Sequence, residues 1–324
     1  MKIVVLDGQT LNPGDNPWLP IEELGDVTVY PRTEPEDIVE RAQGARMVLT
    51  NKSALTADVI AQLPDMRYIG VLATGFDMVD LEAAGRRGIP VCNVPGYGTN
   101  AVAQFVFAMI LELNHRVRDH DLSVKDGDWA RSEDWCYWRS PQVELTGQTM
   151  GVVGFGAIGS RVCELAHAFG MRVLVNTRTP KPVPDYAPFS YASIEQVFEQ
   201  SDVVSLHCPL TPENEGFVDE ALLSRMRPDA LLVNTSRGRL INEPDLAAAL
   251  HAHNLRGAAL DVVSHEPIAP DNPLLTAPGC LLTPHIAWAS LTARQNLMRQ
   301  AAANIHAFQQ GRPINVVNGD LLVG

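Results

Sequence analysis

A glycine-rich turn constrains this 324-residue chain more than any other feature. After the apolar run 149–153 comes Gly154-Phe155-Gly156-Ala157-Ile158-Gly159, at the point where an extended segment gives way to a helical pattern. In that setting each glycine has a mechanical task. Gly154 permits the tight turn, Gly156 lets the backbone approach a pyrophosphate, and Gly159 lets the helix pack closely on the sheet. The amides of Phe155, Ala157 and Ile158, at or near the helix start, then lie where phosphate donors are needed. The turn therefore predicts a parallel α/β sheet that binds a dinucleotide.

Hydrophobic periodicity extends this to the whole chain. Short apolar runs at 149–153, 172–175, 203–206, 230–234, 257–261 and 281–283 alternate with helical patterns at 157–169, 193–200, 219–226 and 243–251. A similar series occupies the first third, with strands at 2–6, 47–49, 67–71 and 90–93 and helical patterns at 35–42 and 57–63. Residues 100–118 are apolar almost all round, which predicts a long buried connecting helix capped by Thr99 or Asn100. A final helical pattern, 291–310, ends at Gly311, and 313–317 is expected to return as an extended segment to the first domain. The expected architecture is α/β with two doubly wound parallel sheets. One domain comprises residues 1–99 plus 290–324, and the dinucleotide-binding domain comprises 100–289.

Charge and composition exclude other classes. With 25 Lys and Arg against 38 Asp and Glu, the formal charge is −13, which repels nucleic acid and anionic membrane surfaces. Apolar runs fall short of the roughly 18 residues needed to cross a bilayer, and the first residues, Met-Lys-Ile-Val-Val-Leu-Asp, read as a strand instead of a secretory leader. Five cysteines without a Cys-x-x-Cys pair suggest neither a disulfide framework nor a metal site. A reducing cytoplasm is expected. Residues 119–145 concentrate Trp129, Trp135, Tyr137 and Trp138 with charges, although only 6% of the chain is aromatic, and read as an interface arm of a homodimer.

The residue that reads the adenosine ribose is expected roughly 20 positions after the glycine turn, at the end of the next strand. An acid there would accept from the ribose hydroxyls of NAD. This chain has Thr177-Arg178-Thr179 instead, which offers donors and a positive charge to a 2′-phosphate. NADP(H) is therefore expected to be preferred, with NAD(H) a possible substitute.

Three polar segments directly follow strands of the second series: Thr235-Ser236-Arg237-Gly238, then Asp261 with His265-Glu266-Pro267, and Thr283-Pro284-His285-Ile286-Ala287-Trp288. With Gly75-Phe76-Asp77, Gly96-Tyr97-Gly98-Thr99 and His207-Cys208-Pro209-Leu210-Thr211, they resemble the D-isomer-specific 2-hydroxyacid dehydrogenases over nearly the whole chain. The resemblance implies a Rossmann cofactor domain, a flavodoxin-like substrate domain, and Arg237, Glu266 and His285 as catalytic residues. It further implies that Thr99, His207, Cys208, Pro209, Thr235, Ser236 and Asp261 join the glycine turn in holding the cofactor, and that Thr74, Gly75 and Trp288 meet substrate. Chemistry supports the catalytic assignment independently. Reduction of a 2-oxo acid needs a cation for the carboxylate and carbonyl, which the planar fork of Arg237 supplies, and a proton donor, which His285 beside a carboxylate supplies. His285-Ile286-Ala287-Trp288 looks most like the branch that reduces hydroxypyruvate or glyoxylate and oxidises glycerate. Two alternatives stay open: a formate- or phosphite-type dehydrogenase, and a dinucleotide-sensing corepressor-like protein.

Overall fold

The computed structural model describes residues 1–322; Val323 and Gly324, expected in the first domain, lie outside the described residues. The chain divides into two compact units, Met1–Gly98 with Trp288–Gly324, and Thr99–Ala287.

The first unit holds strands β1 (Lys2–Val5), β2 (Asp26–Val29), β3 (Met47–Thr50), β4 (Tyr68–Val71) and β5 (Val91–Cys92). They pair in parallel in the order β2-β1-β3-β4-β5, the flavodoxin-like order. Alternate residues face opposite cores: Val4 and Val48 belong to one, Ile3, Val5, Met47 and Leu49 to the other. Burial on both faces explains the near-continuous apolar runs of the central strands. The edge strand β2 escaped the sequence pattern because its last three residues are only half-buried and the first, Asp26, is exposed. The expected return of 313–317 is made by a single antiparallel bridge, Cys92 to Val316, with Asn93 N–H donating to the Asn315 carbonyl at 3.1 Å.

The second unit holds β6 (Thr149–Val153), β7 (Arg172–Asn176), β8 (Phe189–Tyr191), β9 (Val203–Leu206), β10 (Leu231–Asn234), β11 (Gly257–Leu260) and β12 (Cys280–Leu282). These form one seven-stranded sheet, all parallel, in the order β12-β11-β10-β9-β6-β7-β8. Strand order reverses between β6 and β9, and ligands of such sheets bind at the carboxyl ends of the strands beside that reversal. Met150 and Val152 point into the core shared with the helix Thr99–His115, while Val204 and Leu206 point into the opposite core. The predicted helix over 100–118 is instead two helices, Thr99–His115 and Val117–Lys125, because Arg116 takes a left-handed conformation at φ 46° and interrupts the ladder. Among the described residues no helix is long and apolar enough to cross a membrane.

Candidate active site

The glycine turn lies at the strand-order reversal. Gly154 has φ +100°, and its N–H donates to the Asn176 carbonyl at 2.8 Å, so the turn lies beside the end of β7. A Cβ on Gly154 would stand 2.5 Å from the Cys208 amide nitrogen. A Cβ on Gly159 would run into the Gly154 carbonyl oxygen. At Gly156, by contrast, nothing lies within 4 Å of where a Cβ would be, and the helix Ala157–Ala168 starts immediately afterwards. Two glycines are thus required by the protein's own backbone, and the third leaves open space at a helix N-terminus.

Around this turn the structure places the expected cofactor residues on neighbouring strand ends. Phe155 is buried against Phe189 and Tyr191. Thr177, Arg178 and Thr179 follow β7, with Arg178 and Thr179 exposed. His207, Cys208 and Pro209 follow β9, and Ser236 Oγ donates to the Cys208 carbonyl at 2.6 Å, which ties the β9 and β10 loops together. Ser205 Oγ and His207 Nε2 lie 2.8 Å apart, and burial lowers the His207 pKa to about 4, so the ring is neutral near pH 7. Thr235 Oγ1 is buried without a hydrogen-bond partner, an orphan that a carboxamide or ribose hydroxyl would satisfy. The open space at Gly156, the helix amides behind it and this orphaned hydroxyl fit a nicotinamide dinucleotide.

The three expected catalytic residues belong to the same unit and to successive loops. His285, just after β12, donates from Nδ1 to Glu266 Oε2 at 2.6 Å, an ion-pair distance when the ring is protonated. Both groups keep partial access to solvent, at 27% and 34% exposure. Arg237 follows β10, and its NH1 donates to the Ser236 carbonyl at 2.9 Å. Its loop is shaped by buried Asn234, whose Oδ1 accepts from Ser236 N–H at 2.9 Å and whose Nδ2 donates to the Arg237 carbonyl at 2.8 Å. Asp261 is buried beneath the His285 loop and accepts from Thr283, Ile286 and Ala287.

Sequence reasoning missed two supports. One is Asn234, the last residue of β10. The other is Glu243, which reads as an ordinary acidic first-turn residue of the helix Glu243–His251. It is buried, accepts from Ser264 N–H at 2.5 Å and from Ser264 Oγ and Asn272 Nδ2 at 2.8 Å, and so braces the loop that carries Glu266. No signal in the sequence separates such a carboxylate from a surface one.

In the first unit, Thr74 and Gly75 follow β4. Thr74 Oγ1 donates to the Val94 carbonyl at 3.0 Å and the Thr74 carbonyl accepts from Asn93 Nδ2 at 2.7 Å, which holds this turn rigid. Trp288 also belongs to the first unit and packs edge-on against Tyr97, with ring centroids 6.3 Å apart. In the arm, Trp135 and Trp138 stand 86% and 69% exposed.

A doubly wound sheet with a dinucleotide turn and a His–Glu pair beside an arginine loop defines a nicotinamide-dependent oxidoreductase. The profile of D-isomer-specific 2-hydroxyacid dehydrogenases, NAD-binding domain, matches residues 107–287, and the chain belongs to that family. It is 44% identical to a hydroxypyruvate reductase of Blautia hydrogenotrophica over 98% of this chain and 100% of the relative. Among solved structures, a Thermus thermophilus protein superposes with a TM-score of 0.85 at 35% identity, covering 98% of this chain and 100% of that one. The NADPH-dependent glyoxylate/hydroxypyruvate reductase of Sinorhizobium meliloti, solved with NADP and malonate, superposes with a TM-score of 0.83 at 25% identity, covering 98% and 96%. The enzyme is a D-2-hydroxyacid dehydrogenase that uses a nicotinamide cofactor.

Proposed function

We propose that this enzyme reduces hydroxypyruvate or glyoxylate to the corresponding 2-hydroxy acid, with NADPH favoured over NADH. The observation that carries the reading is the His285–Glu266 pair at 2.6 Å. With Nδ1–H committed to the carboxylate, Nε2 is the nitrogen that donates a proton to the substrate oxygen, and the Glu266 carboxylate faces the positive charge that the ring carries before that step. The guanidinium of Arg237 binds the carboxylate and polarises the adjoining carbonyl through its planar fork. The family resemblance assigns the Thr74–Gly75 turn and Trp288 of the first unit to the substrate. The nicotinamide, when bound, supplies the hydride. In the oxidative direction the neutral His285 ring takes the proton back.

The cofactor preference rests on Arg178. No carboxylate stands among Thr177, Arg178 and Thr179 to repel a 2′-phosphate, and an exposed guanidinium follows the strand that flanks the glycine turn. The similar S. meliloti reductase is NADPH-dependent, which supports this reading. The exposed tryptophans of the arm support pairing with a second copy as a homodimer, checked by light scattering at micromolar concentration. All five cysteines are unpaired, which suits a reducing cytoplasm. A panel of hydroxypyruvate, glyoxylate, pyruvate and formate, each with both cofactors, tests the proposal. Turnover confined to formate, or greater efficiency with NADH on every substrate, would overturn the corresponding part of it.

A further inference from the structure

Beyond the end of β7 the chain passes from Thr177-Arg178-Thr179 into Pro180-Lys181-Pro182. The two prolines carry no N–H and have a fixed φ, and a residue that precedes proline is held near extended backbone, so Lys181 has little freedom of its own. One phenol removes most of the rest. Lys181 N–H donates to Tyr191 Oη at 3.1 Å, and the Tyr191 hydroxyl donates back to the Lys181 carbonyl at 2.8 Å. Tyr191 is the last residue of the edge strand β8, and its ring packs edge-on against Phe155 and Phe189, with centroids 6.1 and 5.2 Å away. The same loop is pinned again further on, where Tyr186 stacks on His167 of the helix Ala157–Ala168 with centroids 4.8 Å apart. Held in this way, the exposed Lys181 places its ammonium over the Phe155 ring, 5.6 Å from the centroid and within cation–π range. Phe155 belongs to the glycine turn, so the loop that leaves β7 folds back and sets a cation over that turn.

We propose that Lys181 is a second cation for the 2′-phosphate of NADP(H), and that Tyr191 is the positioning residue that holds it over the glycine turn. The inference rests on the reading of NADPH as the favoured cofactor and extends it from Arg178 to a two-cation site. Arg178 alone leaves charge uncompensated. The Glu213 carboxyl is held below its ordinary value chiefly by a hydrogen bond from the Thr211 side chain and, as a lesser cause, by the charge of Arg178, so Arg178 shares its field with a carboxylate of the chain that follows β9. A phosphate monoester carries nearly two negative charges at neutral pH, and a second cation balances it. Lys181 supplies that cation as a compact point charge. The bracket explains why a lysine can serve here. A long flexible side chain on a mobile loop loses its freedom when the ligand binds, whereas here the backbone is fixed beforehand and the stem already lies against an aromatic ring.

The test uses the full-length enzyme and two nucleotides that differ only by the 2′-phosphate, adenosine 2′,5′-bisphosphate and AMP, with affinities read by titration calorimetry and no turnover involved. Wild type should bind the bisphosphate more tightly. Lys181→Met, which keeps the stem and removes the charge, should weaken the bisphosphate about tenfold and leave AMP within about twofold. Lys181→Arg, which keeps the charge, should stay within about threefold of wild type for both. Tyr191→Phe keeps the ring packing and removes the bracket, and should weaken the bisphosphate about fivefold with AMP little changed. Because Tyr191 acts through Lys181, adding Tyr191→Phe to Lys181→Met should cost no more than about a further twofold. The gap between wild type and Lys181→Met should also narrow as salt is raised, a response that a merely structural change would not produce. Wild-type selectivity surviving in Lys181→Met, or equal losses of both nucleotides, would overturn the role of Lys181 while leaving the reading of NADPH as favoured intact. Unchanged affinities in Tyr191→Phe, or fully multiplicative losses in the double variant, would overturn the role of Tyr191. A wild-type enzyme that binds both nucleotides alike would overturn the NADPH reading itself, and the two-cation site with it.

Discussion

Two glycines of the dinucleotide turn, two residues apart, respond to alanine in opposite ways. At Gly154 the methyl group meets backbone on the neighbouring strand end, 2.5 Å from Cys208 N and 2.6 Å from the His207 carbonyl carbon, and φ is +100°. Left-handed backbone costs an alanine about 1–2 kcal/mol. Forcing a methyl into packed backbone costs about 1–3 kcal/mol more. The sum, about 2–5 kcal/mol, lowers Tm by roughly 4–20 °C for a unit of this size. Gly156 has φ −79° and ψ −164°, open to any residue, and nothing within 4 Å of its Cβ position. Gly156→Ala should therefore melt within about 2 °C of wild type. Its methyl stands where the pyrophosphate approaches the backbone, and loss of one charge-assisted hydrogen bond weakens cofactor binding by about 10–100-fold. Circular-dichroism melting and fluorescence titration of the two variants separate folding from binding. A Gly156→Ala enzyme that melts as early as Gly154→Ala, or that binds cofactor with wild-type affinity, refutes the reasoning.

His285→Gln should reduce turnover by about 10²–10⁴-fold while the cofactor dissociation constant stays near wild type, as measured by steady-state kinetics and titration. Arg178→Ala should lower kcat/KM with NADPH by about one to two decades and leave NADH little changed; equal losses with both would remove the 2′-phosphate from the argument. The neutral His207 ring gives stability a pH slope. Its folded pKa of about 4 lies below the unfolded value near 6.5, so the unfolded chain binds the extra proton first. Stability is then lost as pH falls from about 6.5 toward 4, on the order of 1–3 kcal/mol, and His207→Asn should flatten that part of a urea-midpoint profile.

The sequence made the central strands and the chemistry legible for the same reason: both are repetitive in position. Central strands such as β3, β6 and β9 are buried along their whole length and read as unbroken apolar runs. Edge strands β2 and β8 are half-exposed, carry mixed residues, and gave no such run. The break at Arg116 was illegible because helical sequence continues on both sides of it, and a left-handed arginine has no sequence signature. In the candidate site, Arg237, Glu266 and His285 stood out because each falls in a polar segment just after a strand. Their supports could not, because Asn234 reads as the tail of a strand and Glu243 as a common helix-start acid.

That division follows from how such a site is held. Each reactive side chain needs access to substrate, so it sits on a loop, and a loop supplies few hydrogen bonds of its own to fix it. Here buried acceptor-bearing side chains at element ends supply them: Asn234 binds both sides of the arginine loop, Glu243 receives Ser264 and Asn272 across the glutamate loop, and Asp261 grips the histidine loop at three points. At the end of a parallel strand, the side chain of the last residue, or of the one after it, can reach the loop that leaves its own strand or a neighbouring one. Asn234 does the first and Asp261 the second, reaching from β11 to the loop after β12. Gly238 completes the framework, because its backbone lies so close to the Val263 carbonyl that no side chain would fit, which locks the arginine loop against the segment leading to Glu266. The three proposed catalytic groups are therefore positioned by buried polar contacts along the carboxyl edge of the sheet, and a substitution at Asn234 or Glu243 is expected to reach kcat before it reaches cofactor affinity.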